Sequence, residues 1–247
     1  MYQKERLNRI LEIVNARGFA TIKELAFELT YSNATIHRDV IALEKMKKIK
    51  RINGGIEPIK EISVPLPFRY DKMKNAKLKI SKQAVSLIND EEIIFIDGST
   101  TTQFMSDYLL AKKNIHVVTN NISLASFLAD NGVKVTVLGG EIIDPPYMTS
   151  GLGEYDSLVN IKIDKAFLSC NGFDEQGNVY AYIFYNLYKC VLHLSTETYL
   201  LADSSKLNAI TEKTIAMRFS DITGIVSDFD FSDEIKNKFK NTKFIKV

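Results

Sequence analysis

The sequence has few of the residues that form metal sites or disulfide frameworks. Its 247 residues include 2 cysteines and 3 histidines, and the histidines form no cluster with the spacing of zinc ligands. Two cysteines are too few for a disulfide framework, so Cys170 and Cys190 are expected to be reduced, buried thiols. The sequence therefore predicts neither a metal site nor a cofactor.

Long apolar segments, internal repeats and low-complexity tracts are also missing. A membrane-spanning helix needs about 20 mostly apolar residues, and no run approaches that length. The charged opening, MYQKERLNRI, is unlike a secretory signal peptide. These features exclude the membrane and secreted classes, so we expect a cytoplasmic protein with no membrane partner.

The composition is that of an ordinary globular protein, but the charge is uneven. Hydrophobic residues make up 45% of the chain and charged residues 25%, and the length allows two domains. Residues 1–60 hold 12 lysines and arginines against 7 acidic residues, a net charge of +5, whereas the remainder carries −3. A basic end on a mildly acidic body indicates a nucleic-acid contact confined to the N-terminus.

Three short amphipathic helices are predicted near the N-terminus. Two segments repeat the i, i+3, i+4, i+7 spacing of a helix that buries one face. The first has Leu7, Ile10, Leu11 and Val14, and the second has Ile22, Leu25, Ala26 and Leu29. Thr21 and Glu24 have the spacing of a capping box at the start of the second helix. Ser32 can cap a third helix, and only a few residues separate it from the second, which is helix-turn-helix spacing.

The third helix and the segment after it carry the residues expected to contact DNA. Amide, hydroxyl and guanidinium groups near the start of such a helix can form hydrogen bonds with base edges. Asn53, Gly54 and Gly55 indicate the turn of a two-stranded wing, whose cations would contact phosphates. The predicted DNA-binding residues are Ser32, Asn33, Thr35, His37, Arg38, Lys50 and Arg51. The alternative is a small helical bundle with a solvated basic face.

These residues resemble the DeoR-type bacterial transcriptional regulators. The signature of that family is Ser-x-x-Thr-Ile-Arg-Arg-Asp-Leu-x-x-Leu-Glu, followed by a basic stretch and a Gly-Gly wing. Residues 32–44 of this chain read SNATIHRDVIALE, and Gly54 and Gly55 follow. His37 stands where the family has its first arginine, and histidine is shorter and mostly neutral at pH 7. The contact at this position is either weaker or directed at a different base, or the change is a tolerated surface substitution.

The rest of the chain is predicted to be a linker and a larger α/β domain. We place the winged helix-turn-helix at residues 1–58, the linker at 59–73 and the second domain at 74–247. Apolar strands alternate with helical stretches in the second domain, which predicts a mostly parallel sheet. One of the predicted strands covers Thr214–Met217.

Small and polar residues follow five of the predicted strands. Ligands of parallel sheets bind where the strands end, and backbone N–H groups at helix starts can hold a phosphate. These segments also have purely structural alternatives. Gly98–Thr102 could be a helix cap and nothing more, Asn120 and Asn121 could be turn residues, and Lys206 could be a solvated lysine. The coincidence of five such ends favours a binding site.

The resemblance to the DeoR type continues through this domain, in the segments IFIDGSTTT, VVTNN, VLGGEI and LLADSSKL. It implies a fold like ribose-5-phosphate isomerase that senses a phosphorylated sugar. By that resemblance the effector-binding residues are Asp97, Gly98, Ser99, Thr100, Thr101, Thr102, Thr119, Asn120, Asn121, Gly139, Gly140 and Lys206. Asn186 lies among aromatic residues, about where the family has a glutamate. This difference could reshape the pocket, close it or extend a subunit interface, or it could only repack the helix.

The function expected from these features is that of a DNA-binding regulator, a repressor of sugar-metabolism genes that responds to a phosphosugar. Its partners would be operator DNA, the phosphosugar and further copies of the chain, as a dimer or tetramer. We assign no catalytic residue and expect no enzyme. The alternative is a sugar-phosphate isomerase with an added DNA-binding domain, with Asp97, Asp203 or Glu141 as the base. A third possibility is an architectural DNA-binding protein that responds to no sugar.

Overall fold

The computed structural model describes residues 3–46, 48–52, 54–58, 71–143, 148–151, 158, 160–181, 185–209 and 214–247. The chain divides into two compact units, Met1–Pro65 and Leu66–Val247. Asn53 of the predicted turn and residues 59–70 of the predicted linker lie outside the described residues. None of the described helices is long and apolar enough to cross a membrane.

The first unit is a three-helix bundle with a two-stranded wing, as predicted. Its elements are α1 Gln3–Arg17, α2 Ile22–Leu29, α3 Asn33–Lys45, β1 Ile49–Ile52 and β2 Gly55–Pro58. The predicted capping box is present, since the Thr21 hydroxyl accepts the Glu24 N–H and the Glu24 carboxylate accepts the Thr21 N–H. The strands pair antiparallel. Their inward residues, Ile49 and Ile56, join the apolar faces of the three helices in one core.

A buried ion pair fixes α1 against α3. Asp39 is 1% exposed and accepts two hydrogen bonds from Arg6, of 2.5 Å from Nε and 3.2 Å from Nη2. The guanidinium also lies 4.7 Å from the centre of the Tyr31 ring. Because a buried carboxylate needs a charged or hydrogen-bonding partner, this bidentate contact selects one packing of the two helices.

The second unit is built on a seven-stranded, fully parallel sheet in the order β14-β13-β11-β8-β3-β4-β5. These strands are β3 Ile93–Ile96, β4 His116–Thr119, β5 Lys134–Val137, β8 Ile163–Leu168, β11 Ser195–Leu201, β13 Gly224–Ser227 and β14 Lys243–Lys246. One apolar core lies on each face of the sheet. The central strands are buried on both sides, which explains their continuous apolar sequences.

Helices flank this sheet, and short antiparallel strands extend from it. The helices are α4 Lys74–Ser86, α5 Thr100–Gln103, α6 Ser106–Leu109, α7 Ile122–Asp130, α8 Tyr185–Leu194 and α9 Asp233–Lys238, with 3-10 turns at Ser204–Lys206 and Phe219–Asp221. The remaining strands are β6 Glu141–Ile143, β7 Met148–Ser150, β9 Gly172–Phe173, β10 Asn178–Tyr180 and β12 Ile215–Arg218. The strands β6 and β7 form a hairpin, and β12, β10 and β9 form a small sheet.

One predicted strand belongs to a different sheet from the one expected. The segment predicted at Thr214–Met217 is β12, and it pairs antiparallel with β10 outside the main sheet. A parallel neighbour of β11 requires a crossover connection, and that position is taken by β13. The expected mostly parallel α/β fold is confirmed, with this strand as the correction.

Candidate functional site

The start of α3 presents a polar surface opposite its buried side. Ile36 and Val40 are fully buried, whereas Asn33, His37 and Arg38 are exposed. The predicted base-contacting residues therefore share the solvent side of the helix. Such a surface can enter a major groove while the buried side holds the bundle together.

Ser32 and Thr35 have a structural role at the same helix end. Ser32 is the N-cap, and its hydroxyl accepts the Thr35 N–H at 3.2 Å. The two hydroxyl oxygens are 2.9 Å apart and share a hydrogen bond. The shared bond uses one of the two hydroxyl protons, so the other hydroxyl can donate to a DNA phosphate without loss of the cap.

Lys50 and Arg51 of the wing are both exposed, and they lie on opposite faces of β1. Arg51 is already paired, since its Nε lies 2.6 Å from the carboxylate of Glu44 near the end of α3. Sequence reasoning had assigned Glu44 only to the family signature. This pair connects the wing to α3 and leaves the other guanidinium nitrogens of Arg51 available for a phosphate. An open groove of about 740 Å³ lies between α2, α3 and the wing, and His37 and Lys23 line it.

In the second unit, the five predicted strand ends lie along one edge of the sheet. Asp97 follows β3, Asn120 follows β4 and Gly139 follows β5 shortly after its end, while Ser169 and Asp203 follow β8 and β11. These strands are consecutive in the sheet, in the order β11-β8-β3-β4-β5. Four interstrand spacings amount to about 19 Å. A single sugar phosphate is shorter than that, so it can contact only part of this edge.

Asp97 is the most tightly held polar residue of the edge. Its carboxylate is fully buried and accepts four hydrogen bonds. One oxygen accepts the Ser99 N–H at 3.1 Å and the Thr102 hydroxyl at 2.7 Å. The other accepts the Ser169 N–H at 2.8 Å and the Tyr188 hydroxyl. A carboxylate has about four acceptor positions, so all of those of Asp97 are in use.

The segment Gly98–Thr102 forms a compact turn into α5. Ser99 is the N-cap, and its hydroxyl accepts the Thr102 N–H at 3.3 Å. A Cβ atom at Gly98 would lie 3.0 Å from Cβ of Met148 and 3.3 Å from Oδ1 of Asn120, so the glycine permits close packing here. Thr100, Thr101 and Thr102 are all buried. The segment therefore caps the short helix α5.

Asn120 differs from its neighbours at the end of β4. The Thr119 hydroxyl donates to the Ile96 carbonyl at 2.6 Å, and the Asn121 side chain caps α7 and donates to Gln103. Asn120 donates its Nδ2 to the Thr149 carbonyl at 3.1 Å, which settles the orientation of the amide because that carbonyl only accepts. Its Oδ1 is buried and has no hydrogen-bond partner among the described residues.

The two glycines after β5 are not equivalent. A Cβ atom at Gly140 would lie 2.6 Å from the Ser150 carbonyl oxygen, whereas one at Gly139 would meet nothing within 4 Å. Gly140 therefore permits the close approach of the β6–β7 hairpin. Both residues are exposed, and the structure gives neither a polar side-chain contact.

Asp203 and Lys206 lie on the 3-10 turn after β11. One Asp203 oxygen accepts the Ser205 N–H at 3.1 Å and the Ser205 hydroxyl at 2.5 Å. The other oxygen is buried and has no partner among the residues that the structure describes. Lys206 is half-buried. The turn packs closely on the segment after β8, because a Cβ atom at Gly172 would lie 2.1 Å from the Ala209 carbonyl oxygen.

Lys77 belongs to this edge, although sequence reasoning did not include it among the site residues. It lies on α4, is 3% exposed, and donates from Nζ to the Thr100 hydroxyl at 3.2 Å. A lysine is rarely buried to this extent unless its ammonium group has an anionic or strongly polar partner. The sequence signal for Lys77 was its fit to the segment that leads into the sensor domain of the DeoR type.

The unusual helix α8 reaches the edge through Tyr188 and not through Asn186. Asn186 is exposed, whereas Tyr188 is 1% exposed, and its single hydroxyl proton is shared between Asp97 and the Ser169 carbonyl, which lies at 2.8 Å. Burial, followed by the nearby Asp97 carboxylate, raises the pKa of Tyr188 well above its usual value. The hydroxyl therefore keeps its proton and acts as the donor.

The comparisons with known proteins agree with both units. A family model described as the DeoR-like helix-turn-helix domain matches residues 6–61, and the DeoR C terminal sensor domain matches residues 72–229. The chain belongs to the DeoR family. The HTH-type transcriptional repressor GlcR of Bacillus subtilis is 30% identical over 85% of this chain and 82% of its own length.

The family match extends over the full length of another relative. The lactose phosphotransferase system repressor of Streptococcus mutans is 29% identical over 99% of this chain and 100% of its own length. Among solved structures, ribose 5-phosphate isomerase A of Methanocaldococcus jannaschii aligns with 57% of this chain and 58% of its own, with 17% identity and a TM-score of 0.43. The protein is thus a DeoR-family regulator with a helix-turn-helix domain and a sensor domain.

Proposed function

We propose that this DeoR-family protein is an operator-binding repressor of sugar-metabolism genes and that a phosphorylated sugar controls it. The observation that carries the sensing part is the pair of buried acceptors at this edge, Asn120 Oδ1 and Asp203 Oδ2, which have no hydrogen-bond partner among the described residues. Buried polar atoms are nearly always hydrogen-bonded, so two such atoms at the edge where parallel sheets bind ligands support a polar ligand there. A relative named as a repressor of a lactose phosphotransferase system supports the choice of carbohydrate genes.

The edge has donors for a phosphate and acceptors for sugar hydroxyls. We assign the phosphate to the region of Lys77, Thr100 and the first amides of α5. Hydroxyls of the sugar would donate to Asn120 or Asp203, whose unpaired oxygens only accept. Lys206 is the candidate cation at the β11 end, and Gly139 and Gly140 are candidates at the β5 end. Because the edge is wider than one sugar phosphate, an effector can contact only those of these residues that lie on neighbouring strands.

For the DNA side, we propose that Asn33, His37 and Arg38 contact base edges from α3. Ser32, Thr35, Lys50 and Arg51 would position the helix and wing on the phosphates. We further propose that the protein acts as a dimer or tetramer in the cytoplasm, because winged helices commonly bind paired half-sites. The domain boundaries that we propose remain residues 58 and 74, on either side of the linker.

We propose that the protein is not an enzyme. An isomerase needs a base that can accept a proton from the substrate carbon, and all four acceptor positions of Asp97 are occupied. The unpaired oxygen of Asp203 keeps the alternative of a sugar-phosphate isomerase testable. Turnover of a pentose or hexose phosphate above background, lost in Asp203→Asn, would establish that alternative.

The experiment that tests the proposal is a gel shift with the DNA upstream of the protein's own gene. The full-length protein is titrated with and without ribose 5-phosphate, fructose 6-phosphate, glucose 6-phosphate and galactose 6-phosphate, with inorganic phosphate as the control. We expect one sugar phosphate to change the operator affinity. Binding that is indifferent to the whole panel would favour the architectural DNA-binding protein instead.

A further inference from the structure

The carboxylate of Asp97 joins three parts of the sensor unit. Its first oxygen holds the turn Gly98–Thr102 through Ser99 and Thr102. Its second oxygen holds the end of β8 through the Ser169 N–H, and it holds α8 through the Tyr188 hydroxyl. Of these four bonds, the one from Tyr188 comes from α8, outside the sheet edge, so it is where α8 joins this network.

The Tyr188 ring is placed for this contact by packing as well as by its hydroxyl. It is among the largest fully buried side chains of the protein and lies in the core with Leu187 and Val191 of the same helix. A ring fixed in this way holds its hydroxyl between Asp97 and the Ser169 carbonyl, which share its one proton. A hydrogen bond to an ionised group is stronger than one between neutral groups.

We propose that Tyr188 is a positioning residue for the turn Gly98–Thr102, here called the effector turn, and that it acts through Asp97. Loss of its hydroxyl leaves one oxygen of Asp97 with a single donor in place of two. Because a buried carboxylate with too few donors is unfavourable, Asp97 would then shift toward water. The Ser99 and Thr102 donors would move with it, and the turn would open more often. The inference deepens the proposed function, because the turn is part of the edge assigned to the phosphosugar.

The direct test is amide hydrogen exchange of the full-length Tyr188→Phe variant, without DNA or sugar. The substitution removes one oxygen atom and keeps the ring. We expect the peptide covering residues 97–103 to exchange about tenfold faster than in the unchanged protein, which is the size of effect expected for one hydrogen bond to a charged group. Unchanged exchange in this peptide would overturn the proposal.

Tyr180→Phe is the matched control. Tyr180 is also buried, and its hydroxyl also donates to a carboxylate, that of Asp174, at 2.7 Å. Asp174 contacts the β9–β10 turn and not the effector turn. We expect normal exchange at residues 97–103 in this variant. Faster exchange there in both variants, or equally across β13 in Tyr188→Phe, would show general loosening of the unit and would overturn a positioning role.

A second variant covers the case in which Tyr188→Phe fails to fold. Thr102→Val removes a donor to the other oxygen of Asp97, so it tests whether a change at the turn is transmitted to α8. Faster exchange of residues 186–190 in α8 would support the proposal, and unchanged exchange there would overturn it. None of these measurements contains a sugar phosphate, so the positioning role of Tyr188 stands or fails separately from the proposed sensing function.

Discussion

Arg38 and Lys50 are both exposed cations of the winged-helix unit, but they are expected to act on DNA differently. Arg38 lies on the α3 surface that would enter the groove, and its planar guanidinium can form two hydrogen bonds with a guanine. Lys50 lies on the wing, where a single ammonium would contact a phosphate. The chemistry of the residue and its element together decide whether a cation contributes to specificity or to affinity.

The first prediction concerns this pair. Arg38→Ala should weaken operator binding by about 1–3 kcal/mol and relax the preference for one base, because it removes a base contact. Lys50→Ala should weaken binding to all DNA sequences alike and reduce the magnitude of the slope of log affinity against log salt concentration by about 1. Titrations of the operator and of a scrambled duplex at several salt concentrations measure both effects. Equal losses on the two duplexes for Arg38→Ala would remove it from the base-contacting set.

The second prediction concerns Lys206. Lys206→Ala should abolish the change in operator affinity caused by the effective phosphosugar and leave binding without sugar intact, because it removes a cation of the sensor edge only. The matched control is Lys236→Ala, since Lys236 is an exposed lysine of the same unit that pairs with Asp230. Gel shifts with and without sugar give both readouts. A retained response in Lys206→Ala would exclude an effector contact at the β11 end and would leave the region of Lys77 and Thr100 as the binding site.

At the scale of elements, the β9–β10 hairpin depends on one buried carboxylate. Asp174 accepts bonds from the Asn178 N–H at 2.8 Å, from the Asn178 side chain at 3.0 Å and from Tyr180. Burial by itself raises the pKa of Asp174, but the hydrogen bonds from Asn178 and Tyr180 outweigh it and hold the pKa below its ordinary value. The folded hairpin therefore favours the ionised form.

The third prediction follows from the direction of that pKa. A carboxyl whose pKa is lower in the folded state stabilises the fold above the pKa of the unfolded chain, about 3.9, and this stability is lost as the pH falls through the folded pKa. The free energy of unfolding should decrease between about pH 5 and pH 3, and part of that decrease should be missing in Asp174→Asn. Urea unfolding at both pH values measures it. The same pH dependence in both proteins would show that other carboxylates account for it.

The same scale shows the limits of predicting elements from sequence. The α3 helix, the capping box at Thr21 and the parallel strands follow from local patterns of spacing and apolar length, and all were predicted. The pairing of β12 with β10 was not, because periodicity gives the existence of a strand but not its partner. The role of Tyr188 was missed for a similar reason, since its contact with Asp97 joins residues 91 positions apart.

At the scale of the whole molecule, the chain combines a DNA-reading unit with a sensing unit, and the proposed response is a linkage between two binding events. A sugar that binds the DNA-competent and the released states unequally shifts the protein toward the state it prefers. The direction of the shift does not depend on any particular path of contacts between the two units. It depends only on the difference between the two affinities.

The fourth prediction is the reciprocity that such linkage requires. If the effective phosphosugar changes operator affinity by some factor, in the range of about 5–150-fold, the operator must change the affinity for that sugar by the same factor. Titration calorimetry of the sugar with free protein and with the protein–operator complex measures the second factor, and gel shifts give the first. Two unequal factors would show that the sugar acts on something other than this equilibrium.

The sequence by itself determined the domain types, the polar surface of α3 and the five strand ends that form one edge, because all of these follow from local spacing and from the rule that parallel strands end together. It also carried the DeoR signature. Only the tertiary structure decided which polar atoms at that edge are occupied. It showed that Asp97, Thr119 and Asn121 hold the scaffold, and that Asn120 and Asp203 each have an oxygen without a partner in the described part of the chain. It also showed that Lys77 reaches Thr100 and that Tyr188 reaches Asp97. Hydrogen-bond satisfaction is a property of the assembled site, since the partners come from distant parts of the chain.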